Sequence, residues 1–209
     1  MDFDGDGRLD LLSGSNCCDR GAFHLFRRKA DGSWAPNQRL EMAPPENVRC
    51  LGGGVVTVVD WNGDGVPDLL SLASGGGLVV GLGPFPEGKP IPVSREIDLA
   101  PREYVGDFAV ADWDRDGKPD LVVRQVENVK TGKAGIYWYR NLGGPGLTKL
   151  AERKLLLEIT RDMHVYGFCV CDWSGDGYPG LIVTRQDLAP GGPDGKGEWR
   201  GSAWFYPRE

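Results

Sequence analysis

Apolar residues in this chain come in short runs, and the runs recur around an aspartate- and glycine-rich turn. Runs rich in β-branched and aromatic residues lead into that turn at GVVTVVDW (54–61), GDFAVADW (106–113) and GFCVCDW (167–173). A short apolar stretch follows each turn, as LDLLSG, DLLSLAS, DLVVRQV and GLIVTRQ. Past a glycine or polar bend comes an aromatic or aliphatic run: GAFHLFRR, GLVVGLG, AGIYWYRN and SAWFYPRE. A fourth run follows in three copies, as NQRLEMA, VSREIDLA and LTKLAERKLLLEI. Short runs bounded by Gly, Pro, Asn and Asp read as strands. LAERKLLLEI taken alone is rich in helix formers, but its place in the repeat predicts a strand. The turns lie roughly 50–60 residues apart, the scale of a propeller blade. The pattern predicts an all-β chain, a β-propeller of four-stranded antiparallel blades with a buried inner strand and about four blades present. One domain over 1–209 is expected, with repeats near 1–52, 53–105, 106–165 and 166–209.

Composition agrees with many short strands. Glycine accounts for 32 of 209 residues, about twice its usual share, and proline for 15. A hydrophobic share of 40% with 26% charged residues is that of a globular chain. The net charge of -6 argues against nucleic acid, whose phosphates require a basic stripe. No apolar run is long enough to span a membrane as a helix. The charged DFDGDG directly after Met1 is no signal peptide.

The turn itself carries the chemistry. Its four copies are DFDGDGRLD, DWNGDGVPD, DWDRDGKPD and DWSGDGYPG, beginning at Asp2, Asp60, Asp112 and Asp172. Oxygens at positions one, three, five, seven (through the backbone carbonyl) and nine suit a hard divalent cation. Calcium takes about six to eight oxygens in loose geometry, magnesium prefers a stricter octahedron, and zinc prefers the His and Cys that the loop lacks. Gly at position six permits the sharp bend. Copy one offers Asp2, Asp4, Asp6, the Arg8 carbonyl and Asp10; copy two offers Asp60, Asn62, Asp64, the Val66 carbonyl and Asp68. Copy three offers Asp112, Asp114, Asp116, the Lys118 carbonyl and Asp120. Copy four keeps Asp172, Ser174, Asp176 and the Tyr178 carbonyl but has Gly180 at nine, which predicts a weak or empty site. Three strong calcium sites and a doubtful fourth are expected. An EF-hand would need Glu at position twelve and flanking helices; Ser13, Ser71, Val123 and Val183 stand there.

DxDGDGxxDL after a β-rich run resembles the FG-GAP/VCBS repeat of integrin α-subunit propellers and of many secreted microbial proteins. The resemblance covers essentially the whole chain. It implies one blade per copy, with calcium in the turn between the first and second strands. It implies no single activity: such propellers serve as adhesion modules, lectin-like domains and polysaccharide lyases. Members usually close a ring of about seven blades, whereas four copies stand here, and both ends of the sequence fall inside a blade. A fragment of a larger propeller is expected, ahead of a ring completed by a second chain or a four-bladed ring.

Beyond the turns, His164 lies in RDMHVYGF just before an inner strand, in roughly the same repeat position as Arg49 and Tyr104, with Tyr166 two residues on. Arg49, Tyr104, His164 and Tyr166 are expected on the face opposite the metal turns, where a His/Tyr/Arg set resembles what a polysaccharide lyase uses to bind a uronate and abstract a proton; variable loop residues of an inert scaffold are the favoured alternative. His24 is expected to be structural or exposed. Trp138, Trp199, Trp204, Tyr137, Tyr139 and Tyr206 are candidates for stacking sugar rings or for packing between blades, and Trp61, Trp113 and Trp173 for the core. The five cysteines form no zinc spacing; Cys169 and Cys171 share a strand face as expected core residues, and Cys17 and Cys18 lie in a loop-like stretch. No hydrolase, zincin, P-loop or dinucleotide motif occurs. The reading is a calcium-binding module for extracellular, periplasmic or cell-surface binding or scaffolding, with a glycan or protein ligand. A glycan-active enzyme is the alternative.

Overall fold

The computed structural model describes residues 2–14, 22–43, 51–73, 77–85, 89–93, 95–97, 99, 104–128, 130–143, 149–189 and 197–208. Arg49, Cys17, Cys18 and Cys50 lie outside them. Every regular element among the described residues is a strand. The chain divides into two compact units, residues 1–100 with 144–148 and residues 101–143 with 149–209.

The first unit holds β1 (Leu11–Gly14), β2 (Phe23–Phe26), β3 (Gln38–Leu40), β4 (Met42–Ala43), β5 (Leu51–Val59), β6 (Asp68–Ala73), β7 (Leu78–Gly81), β8 (Ile91–Pro92) and β9 (Arg95–Ile97). Two antiparallel sheets result, β1-β2-β3 and β5-β6-β7-β9, and β4 pairs in parallel with β8. Period-two alternation turns Phe23 and Leu25 of the first sheet and Leu69 and Val79 of the second into one core with Leu40, Met42 and Ile91. Gly81 fits here for lack of a side chain: a Cβ would stand 2.6 Å from the Ile91 side chain.

The second unit holds β10 (Tyr104–Ala111), β11 (Asp120–Asn128), β12 (Lys133–Tyr139), β13 (Lys154–Ile159), β14 (Met163–Cys171), β15 (Gly180–Ala189) and β16 (Glu198–Tyr206). They form the antiparallel sheets β10-β11-β12-β13 and β14-β15-β16. Trp113, Val122, Ile136 and Trp138 of the first sheet meet Val165, Leu181 and Val183 of the second. Each such side chain contributes about 1.5–3 kcal/mol when buried. The helix-prone KLLLEI is strand β13, because pairing with β12 decides its conformation.

Three expectations are corrected. The strands after the turn, β6 and β7 in the first unit and β11 and β12 in the second, are the more buried, whereas the preceding β10 and β14 are half-buried. Trp61 and Trp113 are core residues, but Trp173 is 69% exposed. Leu181 and Val183 of the following sheet cover the Trp113 side of sheet β10–β13, and the second unit holds no third sheet among its described residues. Cys169 and Cys171 share a face, but it is the face of β14 turned away from that core; Cys169 is exposed and both are free thiols. The central aromatics of YWYRN, Tyr137, Trp138 and Tyr139, are buried, while Trp199 and Trp204 are exposed.

A polar network ties β11 and β12 to the residue just before β13. Glu127 accepts from Arg153 (2.8 Å), from Lys133 (2.7 Å) and from the Tyr137 hydroxyl, and Arg153 lies 4.3 Å over the Tyr137 ring. The Lys133 and Tyr137 donors hold Glu127 below the usual carboxylate range, and burial with the Glu127 charge pushes the Tyr137 phenol up to about 12. A folded-state pKa lowered in this way contributes stability above the unfolded value that is lost on acidification. Glu127→Gln is therefore expected to destabilise the second unit by about 2 kcal/mol at neutral pH, measured by urea unfolding. The difference from the parent should begin to shrink at about pH 4 and be lost as the pH falls through the lowered folded-state value of Glu127.

Candidate metal centre

All four turns fold the same way. In each, the position-one carboxylate accepts backbone N–H groups from later in the turn. Asp2 accepts from Gly5 (2.8 Å), Asp6 (3.0 Å) and Gly7 (2.8 Å), and Asp60 accepts from Gly63, Asp64 and Gly65 at 2.7–3.0 Å. Asp112 accepts from Asp116 and Gly117 (both 2.9 Å), and Asp172 from Gly175, Asp176 and Gly177 at 2.7–3.1 Å. The position-five carboxylate then accepts the N–H of position seven in every copy, at 2.8–3.0 Å. These bonds wind the chain into a tight loop in all four copies, and among the described residues three carboxylates converge in the first and third of them. Gly7, Gly65, Gly117 and Gly177 take φ of +83° or +84°, so position six requires the left-handed conformation. Position four requires it too: three copies place Gly there, and Arg115 adopts φ +63° in the third. Its guanidinium lies 4.6 Å over the Tyr178 ring of the fourth turn.

Position nine does a second job. Asp10 accepts N–H groups from Phe3 and Arg28 (both 2.9 Å), Asp68 from Trp61 and Gly83 (both 2.9 Å), and Asp120 from Trp113 (3.2 Å) and Asn141 (2.7 Å). Arg28, Gly83 and Asn141 stand two residues beyond the ends of β2, β7 and β12, so this carboxylate pins the turn to the same point of the neighbouring hairpin in each copy. Asp120 also accepts the Trp138 indole N–H at 3.0 Å. Burial pushes the Asp68 and Asp120 carboxyls up, against the pull of those donors. A buried carboxylate of this kind is favoured by a neighbouring cation.

The donor set fits a hard divalent ion. Asp2, Asp4 and Asp10 bring carboxylate oxygens within 4.8 Å of one another, as do Asp112, Asp114 and Asp116. An all-oxygen set on a turn already held by amide N–H bonds matches the ligand preference of calcium. In the second turn Asn62 stands at position three, its amide donating to Asp64 at 2.7 Å.

The fourth turn departs in the space as well as the sequence. A Cβ on Gly180 would meet the Phe205 ring at 2.6 Å. Phe205 pairs with Ile182 as Trp138 pairs with Val122. Thus Asp120 with its indole donor is replaced by Gly180 with a phenyl ring that donates nothing, and the clamp is gone.

The proposed ligand residues on β14 are partly brought together. His164 and Tyr166 stack at 4.9 Å between ring centroids, with Trp199 edge-on to His164 at 6.4 Å. The Tyr166 hydroxyl donates to Gln186 at 2.7 Å. Tyr104 is exposed at the equivalent position of β10 and makes no ring contact with them among the described residues. Trp199 and Gln186 join this patch through the β14-β15-β16 register, which a strand motif read in isolation does not reveal. Sequence reasoning also missed Arg27 and Arg140, which reach the position-three carboxylate of their turns: Arg27 Nε lies 3.2 Å from Asp4 and Arg140 Nε 2.6 Å from Asp114. Both directly follow the aromatic run, at the ends of GAFHLFRR and AGIYWYR, a position the repeat alignment could have flagged.

No curated protein matches the chain. The FG-GAP-like repeat matches it twice, over residues 2–71 and 112–183. Each match opens on the first aspartate of a turn, spans two turns and closes in the strand after the second. With about two thirds of its residues matched in this way, the chain belongs to the FG-GAP-like repeat family.

Proposed function

We propose that the chain is a calcium-binding β-propeller module, its antiparallel sheets serving as blades, that acts in extracellular binding or scaffolding. The observation that carries this reading is the fourfold recurrence of one turn geometry, with carboxylates at the ligand positions. Asp2, Asp4, Asp6 and Asp10, with the Arg8 carbonyl, hold the first ion. Asp60, Asn62, Asp64 and Asp68, with the Val66 carbonyl, hold the second, and Asp112, Asp114, Asp116 and Asp120, with the Lys118 carbonyl, the third. The fourth turn binds weakly. Extracellular calcium, near millimolar, keeps sites of modest affinity filled.

Position two supplies a built-in reporter, since Trp61 and Trp113 are buried beside the first ligand of their turns. Terbium, a calcium-sized ion, should therefore luminesce on tryptophan excitation and be displaced by calcium. Terbium emission that calcium leaves unchanged would sink the proposal.

The ligand of such a module is a glycan or a protein, and the exposed His164, Tyr166 and Trp199 offer rings on which a sugar can stack. The alternative, proton abstraction by His164 and Tyr166 in a glycan lyase, is disfavoured by the Tyr166 hydroxyl being engaged with Gln186. Trp199→Ala should weaken glycan binding on an array without affecting calcium. Eliminative cleavage of an acidic glycan, lost in His164→Ala, would favour the enzyme.

A further inference from the structure

The four turns are of two kinds, and the kinds alternate. In the first and third, position three is an aspartate (Asp4, Asp114) and the residue just after the second strand of the hairpin is an arginine (Arg27, Arg140) that pairs with it. In the second and fourth, position three is neutral (Asn62, Ser174) and the equivalent residue is Leu82 or Pro207. Position seven follows suit. Arg8 and Lys118 pair with the position-five carboxylates Asp6 and Asp116, whereas Val66 and Tyr178 cannot. Arg140 also reaches Asp116, at 2.9 Å, so one guanidinium spans the ligands at positions three and five of its turn. The same charge pairing occurs in both units, as an ion pair without a hydrogen bond from Arg27 Nε in the first turn and as a two-carboxylate contact in the third, and is absent where position three is neutral, which marks a matched pair of substitutions rather than a chance surface contact.

Its consequence follows from charge. A divalent ion and a guanidinium compete for the same carboxylate oxygens, since both are satisfied by in-plane lone pairs. Resting on the calcium reading above, we propose that Arg27 and Arg140 set the calcium affinity of the first and third turns: each neutralises the position-three carboxylate in the metal-free turn and is released when the ion binds. The arginine keeps four crowded aspartates compatible with a folded empty turn, and it moves filling to higher calcium concentration. The second turn, with three carboxylates and an amide, carries no such competitor among the described residues.

Calcium titration calorimetry on the full chain tests this with Arg140→Gln, with Arg27→Gln as its counterpart in the other unit. Arg200→Gln is the control, removing an equal charge from the exposed Glu198 pair at the far end of β16. Each turn variant should bind one calcium about tenfold more tightly than the parent, the order of effect expected from removing a cation beside a divalent ion in a half-exposed turn. In chelator each should melt lower than the parent, and the control should change neither quantity. Should one turn variant fail to fold, the other decides. Calcium uptake by the parent with unchanged or weaker binding in the folded variants would overturn the release. No uptake by the parent would overturn the calcium reading itself, and the release with it.

Discussion

Stripping calcium from the protein will lower its melting temperature by about 10 °C or more, and the first unit will lose more than the second. The first unit holds two full turns, at Asp2 and Asp60, whereas the second holds one full turn, at Asp112, and the incomplete one at Asp172. An ion present at about a hundred times its dissociation constant stabilises the native state by about 2.7 kcal/mol per site. In a unit of roughly 100 residues each kcal/mol moves the midpoint by about 4–8 °C. Differential scanning calorimetry in calcium and in chelator should resolve the shift, and magnesium should restore less of it than calcium. The physical cause lies in the turn: Asp2, Asp4 and Asp10 converge within 4.8 Å, and so do Asp112, Asp114 and Asp116, a repulsion that a divalent ion converts into attraction.

The second large effect separates two roles that the spacing of the motif had merged. Asp120→Ala removes the acceptor for the N–H groups of Trp113 and Asn141 and for the Trp138 indole, all of them buried. Stranding three buried donors should destabilise the second unit by about 3–5 kcal/mol, and it should do so in chelator as well as in calcium. Asp114→Ala removes a carboxylate whose partner is the half-exposed Arg140. Its effect should appear in calcium and nearly disappear in chelator. Urea unfolding of both variants under both conditions checks the pair. Equal behaviour of the two would mean that position nine is a ligand and nothing more.

That contrast shows how much of the site could be read in advance. The turn was legible because its chemistry is local: positions one to nine lie on one short segment, so spacing alone names the carboxylates. The strands were legible because each apolar run recurs in the same order around the turn, which is why the helix-prone KLLLEI could be placed as β13. What stayed hidden depends on pairing across strands. Asp120 meets Asn141 only because β11 and β12 form a hairpin, and Arg140 reaches Asp114 from the end of that hairpin. Trp173 reads like Trp61 and Trp113, yet its exposure is decided by which sheet stands beside it. Gly180 reads as a lost ligand, but only the structure places the Phe205 ring in the space that the ligand would have occupied.

The central claim is that these turns are calcium sites, and counting the ions tests it most directly. Equilibrium dialysis against calcium followed by elemental analysis should give three ions per chain for the parent and two for Asp114→Ala. A parent chain that retains no calcium, or a variant that retains as much as the parent, would contradict the assignment.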